Sequence, residues 1–119
     1  MEIKNALITF ADLSMADHGA FTLRIGIKFD QCVHTVIGGY ALGRGYVGAS
    51  QFEGSPKGIE EIMRIMDVVG VDCFSELEGN YIRIVDEGWN KPIKKFGNIL
   101  EDKWFDYEEF YKSWDKANS

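Results

Sequence analysis

Histidine, proline and cysteine are all scarce: the 119 residues hold two of each. Two histidines give little raw material for acid–base catalysis. Asp17-His18 lies near Ser14, but a Ser–His–Asp mechanism needs convergent geometry that neighbours in sequence rarely provide. The spacing of Cys32 and Cys73 fits no zinc or redox motif, so both are expected to be free, buried thiols. Cys32-x-His34 offers two ligands on one strand face, whereas zinc needs three or four. A buried thiol beside a surface histidine is the simpler expectation. No apolar run approaches membrane-spanning length, and no basic segment precedes an apolar stretch at the N-terminus, which points to a cytoplasmic protein. Basic clusters are also missing. Thirteen Lys and Arg stand against nineteen Asp and Glu, net −6, and the densest basic group is only Lys91, Lys94 and Lys95. A chain of this sign repels nucleic-acid backbones unless its basic residues cluster, and a partner with a basic surface is the better electrostatic match. The expectation is a protein without catalytic residues, metal or cofactor.

Aromatics and glycine are plentiful. Eight Phe, five Tyr and three Trp supply the buried area that one domain of this length needs. Thirteen glycines favour tight turns and bulges.

The pattern along the chain predicts α+β architecture. Residues 2–13 read as a first strand, and Asp17-His18-Gly19 as a turn. Residues 21–29 alternate almost strictly, with Phe21, Leu23, Ile25, Ile27 and Phe29 on one face. Asp30-Gln31 closes a hairpin into a strand over 32–40. Residues 38–54 hold six glycines and predict a bulged strand end and a long loop. Ser55-Pro56 then opens a helix, with Ser as N-cap and Pro at the first position, and Gly70 ends it. Glu60 and Glu61 fall in its early turns, where the helix dipole favours acid. Ile59, Ile62, Met63, Met66 and Val69 form its apolar stripe, widened by Ile65 and Val68. Asp72 is a candidate cap for one further turn. Strands follow at 81–85 and 93–100, and Asp106 is placed to cap a short final helix through Trp114. The sum is an antiparallel sheet of about five strands, one main amphipathic helix on one face and a short C-terminal helix.

Two segments carry candidate function. The first is Gly43-Arg44-Gly45-Tyr46-Val47-Gly48, a literal G-x-G-x-x-G. A dinucleotide fingerprint needs a helix opening inside the motif, and here the helix starts only near Pro56. Arg44 and Tyr46 remain candidates for contact with a small ligand or nucleotide. The second is residues 101–119, with six acids against three lysines. Glu101, Asp102, Asp106, Glu108 and Glu109 surround Trp104 there, a mixture in which aromatics anchor and acids steer a basic partner. Against that, Trp104, Phe105, Phe110 and Trp114 have a stronger claim to cover the open face of the sheet, because small domains must bury most aromatics.

The chain resembles small phage and prophage proteins. The likeness is carried by Gly38-Gly39-Tyr40-Ala41-Leu42, by Gly54-x-x-x-Gly58-x-x-x-Ile62-Met63-Arg64, and by Val68-Val69-Gly70-Val71-Asp72. It continues through Gly79-Asn80-Tyr81-Ile82-Arg83-Ile84 and Gly97-Asn98-Ile99-x-x-Asp102-x-Trp104-Phe105. The resemblance implies an accessory protein of a mobile element, a class that includes inhibitors of host defence such as anti-CRISPR proteins. The leading expectation is an inhibitor that occludes the basic surface of a host defence complex such as CRISPR-Cas, alone or as a homo-oligomer. The alternative is a small-ligand or nucleotide-binding protein using the glycine-rich loop.

Overall fold

The structure is a computed structural model that describes residues 1–17, 19–45 and 51–118, with the backbone alone at 16, 17 and 39–41. Its fold is α+β. Among the described residues seven antiparallel strands form one curled sheet in the order β4-β3-β2-β1-β5-β6-β7. They are β1 (Glu2–Asp17), β2 (Ala20–Phe29), β3 (Val33–Arg44), β4 (Glu53–Gly54), β5 (Tyr81–Asp86), β6 (Lys95–Asn98) and β7 (Trp104–Asp106). Helix α1 (Pro56–Val69) crosses from β4 to β5, and helix α2 (Tyr107–Ala117) follows β7. No described helix is long and apolar enough to cross a membrane.

The two strands beyond the expected five are the shortest, β4 and β7. The strand expected over 93–100 shortens to β6 and is not the last. Strand β1 is central and long enough to serve two neighbours. Its first half, from Glu2 to Leu7, pairs with β5, and the rest, from Leu7 onward, pairs with β2. A register shift lies between Ile8 and Phe10. There the Phe10 ring lies flat on Gly26, where any Cβ would strike it. A bare glycine under an aromatic ring lets the outer face of the sheet close over its own backbone.

The core fills the inner face. Ala6, Ile8, Leu23, Ile25, Ile27, Ile82 and Ile84 project from the sheet and meet Ile65, Val68 and Val69 of α1. The ends of α1 follow the expectation. Ser55 Oγ accepts from the Gly58 N–H at 3.1 Å, and Gly70, at φ 90°, donates to the Met66 carbonyl at 2.8 Å. The buried face follows in part. Ile65, Val68 and Val69 are buried and Ile62 packs against the core, but Ile59 and Met63 are 55% and 63% exposed, and Gly58 and Glu61 are buried instead. Two contacts rotate the helix. Gly58 rests on the Leu42 backbone, and Glu61 faces the tyrosines of α2. Glu61 is therefore a buried group and not a dipole-facing acid of the first turn, and Glu60 pairs with Arg64 at 2.8 Å. Asp72 is not the cap of the turn that follows: the 3-10 turn at Phe74–Glu76 starts from Cys73 without a side-chain cap.

Strand β7 and α2 complete the core with an aromatic cluster. Phe105 meets Tyr107 edge-on at 4.8 Å and lies 5.4 Å from Phe110 and 5.6 Å from Phe96. Phe105 and Phe110 are buried, while Trp104 and Trp114 are half-buried at the margin.

Candidate functional site

The acids of the C-terminal segment divide by role. Asp106 is the N-cap of α2, its Oδ1 accepting from the N–H groups of Glu108 at 2.9 Å and Glu109 at 3.2 Å. Asp102 accepts from Trp104 Nε1 at 2.9 Å. Glu108 pairs with Lys94 at 2.8 Å, and the ammonium holds its carboxyl below the ordinary value. Glu101 gives its carbonyl to Arg83 at 2.7 Å, and its carboxylate stands 3.8 Å from Lys103. Trp104 lies over Gly97 under two cations, Arg83 at 4.5 Å and Lys95 at 5.5 Å from its ring. The six expected residues thus do not form one patch. Trp104, Asp106 and Glu109 come together along one groove, and Glu101, Asp102 and Glu108 lie outside it.

That groove runs between α1 and α2 and encloses about 470 Å³. Trp104, Phe110 and Trp114 supply aromatic wall, and Glu60, Asp106 and Glu109 line it with Arg64. Arg64 is bonded to Glu60 and lies 5.9 Å from the Phe110 ring centre. Three carboxylates against one guanidinium leave the lining acidic. The rings already hold cations of the chain itself: Phe110 lies near Arg64, Trp114 lies 5.6 Å from Lys57, and Trp104 sits under Arg83 and Lys95. The rings thus shape the groove, and its carboxylates supply the pairing for a lysine or arginine side chain.

Behind the groove sits a buried carboxyl. Glu61 is 1% exposed, and its Oε1 accepts from the Tyr111 hydroxyl at 2.6 Å. Burial raises its pKa above the ordinary value of 4.5, offset in part by Tyr111, then Lys57 and Tyr107. Lys57 reaches over the Tyr111 ring at 4.2 Å and pairs with Asp115 at 2.8 Å, tying the two helices together. The raised pKa fixes a sign. Between the unfolded and folded values the native state holds more protons, so stability falls as pH rises through that window. Glu61→Gln removes the charge and keeps an acceptor for Tyr111. It is expected to melt a few degrees higher than wild type at pH 7 and to lose that advantage below about pH 4.5. Melts across pH 4–8 check this, and a variant less stable than wild type at pH 7 contradicts it.

The glycine-rich segment stays apart. Arg44 is exposed at the end of β3 and faces Glu53 across the β3–β4 pair, and Tyr46 lies outside the described residues. The shallow hollow beside Arg44 encloses about 250 Å³, and α1 opens only at Pro56. Cys32 and Cys73 are both exposed, against the expectation of buried thiols. Cys32 falls in the β2–β3 turn rather than on a strand, and Cys73 enters the 3-10 turn, so neither reaches the core. Among the described residues no three His, Cys, Asp or Glu side chains converge as a metal site.

One surface has no counterpart in the sequence reading. Trp89 is 94% exposed on the β5–β6 connection. Its turn is held by Gly88 N–H donating to Asp86 Oδ1 at 3.0 Å and Lys91 N–H donating to the Gly88 carbonyl at 3.2 Å. Gly88 and Asn90 take φ of 124° and 64°, fixing the ring's exit from the sheet. Beside it a groove of about 710 Å³ runs to the start of β3. A single tryptophan gives no periodic signal, so only its exposure in the fold reveals it.

No protein-family model, curated protein or solved structure matches the chain.

Proposed function

We propose that this chain works by binding a protein, and that the groove between α1 and α2 receives a lysine or arginine from a basic surface of the partner. The observation that carries the reading is the lining of that groove: three aromatic walls with Glu60, Asp106 and Glu109 around them. Asp106 is fixed as a helix cap, so the acidic lining is preorganised, which lowers the cost of ordering it on binding. The likeness to small phage and prophage proteins supplies the partner class. We propose a mobile-element accessory protein acting in the bacterial cytoplasm on a host defence complex such as CRISPR-Cas. A complex of that kind presents a basic nucleic-acid-binding surface, and an acidic domain seated there excludes the nucleic acid.

The test is inhibition of target-DNA cleavage by purified CRISPR-Cas effector complexes. The wild-type chain is expected to inhibit one of them. The double variant Glu60→Lys with Glu109→Lys is expected to lose inhibition by about a hundredfold. It gives up the Glu60–Arg64 pair and an acid in the first turn of α2, so it is expected to melt somewhat lower than wild type while keeping the fold. Undiminished inhibition by the double variant removes the groove from the account.

A further inference from the structure

Strand β3 is an open edge over most of its length. Strand β4 pairs only with its last two residues, Gly43 and Arg44, and Ser55 N–H reaches the Leu42 carbonyl. Among the described residues no backbone group pairs with the outer side of β3 from 33 to 41. Proteins guard such edges with charge, proline or a very short strand. Here Val33-His34-Thr35-Val36-Ile37 carries none of these, only one histidine among β-formers, and Val33 and Val36 are exposed.

The edge does not stand alone. Val33 and Thr35 share the inner face of the sheet with Ile37. Both line the 710 Å³ groove, whose other side is Ile93 and the exposed Trp89. Two carboxylates at its rim, Asp30 and Asp86, are already bound to Lys4 at 2.6 and 2.8 Å. A free edge gives main-chain hydrogen bonds to an added strand, and a pocket beneath it selects alternate side chains. Both parts are present side by side.

We infer that β3 binds an extended segment of a partner protein as an eighth strand, with an uncharged apolar side chain of that segment set in the groove against Trp89. With Lys91 also lining the groove, two carboxylates stand against two ammonium groups, and this balanced rim and the uncharged edge fit an apolar segment. A second copy of this chain fits less well. Paired antiparallel about Val36, it lays Gly38 and Gly39 along the groove end, and its own Ile37 and Leu42 are held in its core. In that register it has no side chain to put there. This edge lies away from the α1–α2 groove, so each site stands or falls without the other.

The experiment uses random peptides of about ten residues, long enough for one strand with flanks, displayed on yeast and selected on the full chain. Enriched peptides are then synthesised, titrated by fluorescence anisotropy and followed by amide hydrogen exchange. The expected result is apolar alternation in the enriched peptides and slowed exchange of alternate amides within 33–37. Trp89→Ala and Val33→Asp are expected to weaken binding about tenfold or more, the loss that follows removal of a central anchor. Trp89 is 94% exposed, so its replacement leaves the fold intact and carries the test if Val33→Asp unfolds. No enrichment over bare yeast overturns the inference, as does enrichment of peptides that protect other amides. Slow exchange of 33–37 in the free chain, appearing with a concentration-dependent dimer in sedimentation, assigns the edge to a second copy and overturns it too.

Discussion

Asn98→Ala is expected to lower the unfolding free energy by about 3 kcal/mol, from the net worth of several buried hydrogen bonds. Asn98 is buried at the end of β6 and makes four of them. Its Nδ2 donates to the carbonyls of Val68 at 3.0 Å and Val69 at 3.2 Å, two of the orphan acceptors at the end of α1. Its Oδ1 accepts from the N–H groups of Leu100 at 2.9 Å and Glu101 at 2.8 Å and so shapes the turn into β7. One side chain thus joins the main helix to the strand that leads into α2. Alanine leaves both carbonyls and both N–H groups in need of other partners, a large share of the 5–15 kcal/mol typical of a domain, on the order of a quarter. Asn98→Asp keeps the acceptor and loses the donor. It also brings negative charge to a helix C-terminus, where the dipole disfavours it. Its loss is expected to match that of alanine at pH 7 and to shrink when the carboxyl is protonated. Urea denaturation measures both. An alanine variant within about 1 kcal/mol of wild type, the worth of one ordinary hydrogen bond, contradicts the role given to Asn98.

Gly58→Ala is the second large effect, and its sign runs against helix propensity. In an exposed helix interior, alanine in place of glycine adds about 1 kcal/mol. At Gly58 a Cβ would stand 2.7 Å from the Leu42 Cα and 3.0 Å from its Cβ and Cδ2. The obstructing atom is backbone of β3 and cannot turn aside, so α1 must lift from the sheet. Overpacking of this kind costs about 1–3 kcal/mol, enough to reverse the gain. A net loss of about 2 kcal/mol is expected once the contacts of Ile65 are also disturbed. Gly54→Ala is the control, because nothing lies within 4 Å of a Cβ there. A Gly58→Ala protein that melts above wild type would show that α1 does not rest on Leu42.

The elements legible in the sequence are those whose signals are local. Ser55, Pro56 and Gly70 mark both ends of α1 by their own chemistry, and Asp106 marks the start of α2. Strict alternation marks β2. Strands β4 and β7 have two and three residues, too few for a period of two to emerge. Apolar spacing alone misplaces the buried face of α1 only as far as Met63. Ile59 and Met63 keep the spacing, yet Glu61 takes the inward position because Tyr111, fifty residues on, supplies its hydrogen bond. The candidate site divides in the same way. Acid beside aromatic in the sequence points to Trp104, Asp106 and Glu109, and the fold gathers them. Glu60, Arg64 and Trp114 join them only because two distant helices pack together. Glu101, Asp102 and Glu108 carry the same composition but face other partners.

The most direct measurement is binding of the fluorescently labelled chain to purified CRISPR-Cas effector complexes at low and high salt. The account predicts saturable binding to one complex that weakens with salt, competes with its nucleic acid, and fails for Glu60→Lys with Glu109→Lys. Binding that is unchanged by salt and by the double variant, or absent for every complex while the chain remains folded, would contradict it.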